Sequence, residues 1–151
     1  MILDELGEFC DATALSTSGT GKALIGDVID LSEVTRDIGN SRPVYLGIQV
    51  TTAVTSGGAA TCSFILASDS AAAIAVDDTA TEHIITFAYP KATLVVGYQD
   101  FFPLPLGVGN TWERFVGIIQ NVGTAALTAG AINAFLTLDP AAWKSLPDAS
   151  N

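Results

Sequence analysis

Ala131-Ile132-Asn133-Ala134-Phe135-Leu136-Thr137-Leu138-Asp139-Pro140 carries the alternation on which the fold turns. Ile132, Ala134, Leu136 and Leu138 fall on one parity, and Ala131, Asn133, Phe135 and Thr137 fall on the other. Period two over this length predicts a half-buried strand. Asp139-Pro140 ends it, because proline offers no N–H to a ladder and fixes its own φ. The tail beyond is too short for an independent helix, yet it holds Trp143 and Leu146. An aromatic anchor after a closing strand predicts a docking segment.

The same pattern recurs upstream. Val44, Leu46, Ile48 and Val50 alternate with Tyr45, Gly47, Gln49 and Thr51, so one face meets a core and the other faces outward. Ser56-Gly57-Gly58 supplies a turn that glycine's positive φ allows, and Cys62, Phe64 and Leu66 are expected to return antiparallel as a hairpin. Asp27–Leu31, Glu82–Tyr89 and Tyr98–Leu106 are further strand candidates. In the last of these Pro103 and Pro105 share a parity, which suits an edge strand protected against aggregation. Trp112–Val122 has apolar residues on both parities (Phe115, Val116, Ile118, Ile119) and reads as buried on two sides. About eight short strands without an amphipathic helix predict an all-β sandwich or barrel. Strand count alone leaves jelly-roll and immunoglobulin-like topologies both open.

The 151 residues fit one domain, 49% hydrophobic and only 15% charged, able to bury roughly two-thirds of its unfolded surface. The net charge of −10 argues against nucleic acid or an anionic membrane as partner, since both require a basic face. No segment is long and apolar enough to span a bilayer. The opening residues lack the basic and apolar regions of a secretory signal. Cys10 and Cys62 have no metal-ligand spacing, and Cys62 sits in a strand as a small apolar residue. A disulfide is not indicated.

Sites of chemistry are sparse. Ser16-Thr17-Ser18-Gly19-Thr20-Gly21-Lys22 looks like the end of a phosphate-binding loop, but Ser16 stands where glycine is needed and Ala23 where Ser or Thr is needed. His83 is the only histidine, so any Ser–His or Cys–His mechanism runs through it, with Asp77, Asp78 and Glu82 available to orient it. No Gly-x-Ser-x-Gly elbow accompanies it. Asp77, Asp78 and Glu82 also lack the ligand spacing and glycine of an EF-hand, and read as a solvated acidic loop. Arg36, Arg42 and Arg114 suit carboxylate pairing, within one subunit rather than across two. No catalytic residue, metal or cofactor is expected. What remains is apolar: Ile2, Leu3, Leu6 and Phe9 at helical spacing near the N-terminus, Phe101 and Phe102, and Trp143 and Leu146 exceed what one small sandwich must bury. These eight are the expected protein-contact residues.

The run from Phe135 to Ala149, Phe-Leu-Thr-Leu-Asp-Pro-Ala-Ala-Trp-Lys-Ser-Leu-Pro-Asp-Ala, resembles the C-terminal signature of the capsid cement (decoration) proteins of tailed bacteriophages, of the Bordetella-phage kind. Met1-Ile2-Leu3-Asp4 with Phe9 and Asp11-Ala12, the Arg36-Asp37-Ile38-Gly39 block after Ile29-Asp30-Leu31, and Leu94-Val95-Val96-Gly97-Tyr98 fit the same family in matching order. The resemblance implies a jelly roll with extended arms: an N-terminal arm and loop over 1–22, a sandwich over 23–139 and a docking tail over 140–151. It implies a non-enzymatic homo-oligomer, dimer or trimer, made in the host bacterial cytoplasm and bound to the major capsid protein on the outer capsid surface. The alternative is a carbohydrate-binding or host-surface-binding module, with Tyr45, Tyr98 and Trp112 lining a groove.

Overall fold

The computed structural model describes residues 7–32, 38, 42–105 and 111–143, the last two of these through their backbone alone. Nine strands occur among the described residues: β1 Glu8–Ala14, β2 Gly21–Asp30, β3 Tyr45–Thr55, β4 Thr61–Asp69, β5 Thr81–Ile85, β6 Tyr89–Pro90, β7 Gln99–Pro103, β8 Phe115–Gly123 and β9 Ala129–Thr137. One sheet has the order β1-β9-β3-β7, the other β2-β8-β4-β5, with β6 also on β4. Setting aside the two-residue β6, the strands pair first with last. β1 meets β9, β2 meets β8, β3 meets β7 and β4 meets β5, all antiparallel, as in one long hairpin. That hairpin is rolled so that β9 also pairs with β3, and β8 with β4. Two four-stranded layers with this connectivity are a jelly roll, which settles the alternative that periodicity left open.

The inner faces follow the alternation. Leu46, Ile48 and Val50 from β3, Phe64 and Leu66 from β4, Ile118 from β8 and Ile132 and Ala134 from β9 form one buried cluster between the sheets. Leu136 packs against that cluster, whereas Leu138 is 58% exposed because the chain has left the sheet after Thr137. β8 is buried on both sides, as its mixed parity predicts: Ile118 faces the main core and Ile119 a second apolar cluster. β7 lies at a sheet edge and ends on Pro103, where a missing N–H costs no ladder bond.

Three expectations are corrected. Ser56-Gly57-Gly58 does not close a hairpin, because β3 and β4 belong to different sheets and the turn carries the chain across the sandwich. Residues 8–14 are strand rather than helical arm: Glu8 lies opposite Phe135 and Thr13 opposite Ile132, a partner supplied from the far end of the chain. Gly21 and Lys22 open β2, so the sandwich starts well before residue 23. Where β1 crosses β2, the chains come so close that only glycine fits. Gly26 has φ +69°, and a Cβ there would lie 2.0 Å from the Phe9 carbonyl oxygen.

Candidate functional site

The first strand begins and the last strand ends at the same end of the sandwich. β1 begins at Glu8, opposite Phe135, and β9 ends at Thr137, opposite Tyr45. Beyond β9, Thr137 Oγ1 accepts the Asp139 N–H (3.2 Å) and Asp139 Oδ1 accepts the Ala141 N–H (3.1 Å). These bonds start a short 3-10 helix over Pro140–Trp143. Asp30 and Asp69 end their strands here too. The loops at the opposite end, 15–20, 56–60 and 124–128, contain no charged residue, and Lys91, which reaches Ser56 there, is a cation rather than a carboxylate. The molecule is therefore polarised along its strands.

The expected contact residues divide. Ile2, Leu3, Leu6 and Leu146 lie outside the described residues, as does the side chain of Trp143. Phe9 is fully buried in the core and has no surface to offer, so it leaves the contact set. Phe101 and Phe102 point to opposite faces, as neighbours on a strand must. Phe102 packs against the core. Phe101 lies on the outer face of its sheet, edge-on to Phe135 with ring centroids 6.4 Å apart. Both rings close over Gly47, which is opposite each of them in register; a Cβ at Gly47 would lie 2.8 Å from Phe101 and 2.9 Å from Phe135. Nearby, Asn133 Oδ1 accepts the Ala12 N–H (2.6 Å) where β1 bulges.

His83 sits on β5 in a cluster that resembles a catalytic pair. Its Nε2 lies 2.7 Å from Ser68 Oγ, and Ser68 Oγ accepts the Glu113 N–H (3.0 Å). Ser68 Oγ thus links the imidazole to the backbone at Glu113. Trp112 stacks on the His83 ring at 3.6 Å and 16°, and Thr81 Oγ1 donates to Glu113 Oε1 (2.8 Å). Burial pushes the His83 pKa down, opposed by the charge of Glu113. A nucleophile must reach its substrate, but Ser68 is 0% exposed and Trp112 1%. The arrangement clamps β4, β5 and the approach to β8 together. The acidic residues expected to orient His83 are engaged elsewhere. Asp78 and Glu82 pair with Lys22, and Asp77 accepts from Thr79. Trp112 is also withdrawn from any carbohydrate groove.

Other candidates are likewise committed within the fold. Lys22, read as the end of a phosphate loop, is held by Asp78 and Glu82 on β2. Arg114 makes a two-pronged contact with Asp30 (2.9 Å to each oxygen) and lies over the Phe115 ring at 4.8 Å. The pair raises the pKa of Arg114 and lowers that of Asp30. Arg36 falls outside the described residues, and Arg42 is exposed. Cys10 and Cys62 are free and buried, and burial pushes both thiols up to about 12.

The open surface is elsewhere. Among the described residues, Ile85, Phe87, Val95 and Val96 are the most exposed large apolar residues besides Leu138, and sequence reasoning did not select them. A signal existed: Ile84-Ile85-Thr86-Phe87 is apolar on both parities, as β8 is, but β5 is an edge strand and one of its sides stays open.

A rolled antiparallel sandwich of a four-stranded and a five-stranded layer is the class of domain shared by viral capsid and lectin proteins. The chain belongs to the Bbp16 family, whose sequence model matches residues 9–136. This is a family of Bordetella-phage proteins, and together with the all-β sandwich it fits a structural, virion-associated phage protein. No curated protein matches the chain.

Proposed function

We propose that the protein is a capsid cement (decoration) protein: a homo-oligomer, made in the host cytoplasm, that binds the outer surface of the assembled phage capsid and stabilises it by bridging neighbouring major capsid protein subunits. The family match over residues 9–136 carries this reading. The geometry supports it, since Glu8 and Thr137 lie at the same end of the sandwich, letting both arms address one partner surface. The role requires no catalysis, metal or cofactor. Each arm contact need only be modest, because an oligomer touching several subunits gains through effective concentration. Preferential binding to the assembled shell then raises its stability by mass action.

The test is co-sedimentation of the purified protein with shells stripped of it, compact and expanded. Saturable binding to expanded shells, with a higher shell melting temperature, is expected; binding to neither form would refute the reading. Trp143→Ala is expected to weaken binding by about 2 kcal/mol, ~30-fold, as removal of an aromatic anchor does. Unchanged affinity would take Trp143 out of the contact.

A further inference from the structure

One lateral edge of the sandwich carries an apolar strip that the fold leaves uncovered. Phe87 is 78% exposed, Val96 65%, Ile85 62% and Val95 52%. They belong to one seam. The Phe87 ring meets Tyr89 edge-on (6.5 Å), and Tyr89 meets Tyr98 (5.5 Å). The turn bearing Val95 and Val96 closes on Tyr98, whose N–H donates to the Val95 carbonyl (3.0 Å). The seam joins the two sheets: Tyr89, beside β4, donates its hydroxyl to Asp100 of β7 (2.6 Å).

The strip contains a single charged residue, Lys91. Residues 84–90 and 92–99 contain none. Lys91 between them donates to the Ser56 carbonyl (2.6 Å), and Asp100 is engaged by Tyr89, Tyr98 and the Phe101 N–H. At the near end of β5, Glu82 is paired with Lys22.

We propose that this strip is the surface on which a second copy of the chain docks, in a two-fold contact centred on Phe87. A two-fold contact sets the same patch against itself. For a chain of net charge −10 that is unfavourable wherever carboxylates would face carboxylates, as around Asp30, Asp69 and Asp77. It is favourable where the patch is apolar and free of carboxylates, as over 84–99, because burial of apolar surface needs no complementary charge. Phe87 projects as an anchor, and the Val95–Val96 turn offers apolar surface beside it to receive the partner's ring. The contact defines the oligomer invoked in the proposed function, and it is tested without any capsid.

The experiment is sedimentation velocity of the purified full chain over a concentration series, at low and high salt. The parent is expected to dimerise reversibly, and more tightly at high salt, where the mutual repulsion of two acidic chains is screened. Phe87→Asp and Val96→Asp are each expected to weaken the dimer ~tenfold or more. Leu138→Asp, at an equally exposed leucine off the seam, should leave it unchanged. Circular-dichroism melts confirm that the variants are folded. A chain that stays monomeric at every concentration and salt, or an oligomer indifferent to both seam substitutions, overturns the proposal. Either result leaves shell co-sedimentation free to succeed or fail by itself, so the two readings are separable.

Discussion

The two sheets share an inner core and finish their outer faces by different means. Outside the β2-β8-β4-β5 sheet, the stretch between β4 and β5 folds back over the strands. Ile74 and Ala80 join Ile65, Ala67 and Ile119 in a second buried cluster. A Cβ on Gly117 would lie 2.7 Å from Ile74 Cδ1, so the glycine leaves the hollow that Ile74 fills. Asp69 anchors the start of the stretch by accepting the Ala71 and Ala75 N–H groups (3.1 and 3.0 Å), and Lys22 holds Asp78 near its end. The β1-β9-β3-β7 sheet is finished by side chains of its own strands: Phe101 and Phe135 over Gly47, and Asn133 into the β1 bulge. One sheet has become the middle layer of three. The other closes its glycine gap with aromatic rings. A jelly roll thus leaves the treatment of each outer face to local sequence, and with it the choice of which surface stays available.

The largest test of this contrast is Ile74→Ala. Deleting a buried isoleucine that fills a glycine hollow is expected to cost about 2–4 kcal/mol if the covering stretch unfolds together with the sandwich. Urea denaturation measures that. If the stretch instead opens by itself, global stability falls less and amide exchange over 70–80 rises, as in a locally opening unit. In that case the third layer would be an accessory, and the two sheets would be more alike than their burial indicates.

Gly47→Ala probes the opposite face. The new methyl meets both rings below 3.0 Å, and overpacking of this kind costs about 1–3 kcal/mol. Phe101 sits on an edge strand and has more room to yield than Phe135, which is almost wholly buried. Most of the displacement should therefore appear at Phe101, as a change in its aromatic NMR shifts. A loss larger than that of Ile74→Ala would mean that two rings over a glycine hold this face more firmly than a covering segment holds the other.

The contrast was only half legible in the sequence. Inner faces were readable because a strand exposed on one side writes its burial at period two: Leu46, Ile48 and Val50, then Ile132, Ala134 and Leu136. Burial of β8 on both sides was readable from its mixed parity. What covered it was not, since Ala71-Ala72-Ala73-Ile74 has no period and its docking depends on Gly117, which is far off in the chain. Glu8–Ala14 was misread because Ile2, Leu3, Leu6 and Phe9 happen to fall at helical spacing. Strand pairing with β9 overrides a local preference that weak. The exposed seam was missed for a related reason. Apolar residues on both parities predict burial on both sides, and sequence does not say that β5 lies at an edge where the second side is unpartnered.

Acid offers the finest discrimination between the sheets, through two groups of the β2-β8-β4-β5 sheet whose titration the fold shifts. His83 is the only histidine, and burial holds its pKa below the ordinary 6.5. In the unfolded chain it titrates near that ordinary value, so as pH falls the unfolded state takes up the proton first. The stability due to a neutral His83 is complete above 6.5 and declines as pH falls below it, until the folded imidazole is protonated as well. His83→Gln should remove this slope from a series of urea midpoints, and a parent flat across the same window would show that the Ser68–Trp112 clamp tolerates the charge. Further down, hydrogen bonds from the Ala75 and Ala71 N–H groups hold Asp69 below the ordinary 3.8. The stability it contributes is present above 3.8 and is lost as pH falls through its lowered pKa, freeing the anchor of the covering stretch. The rings over Gly47 and the Asn133 amide do not titrate. Acid should therefore strip the third layer, seen as amide exchange over 70–80, before it disturbs Phe101 and Phe135.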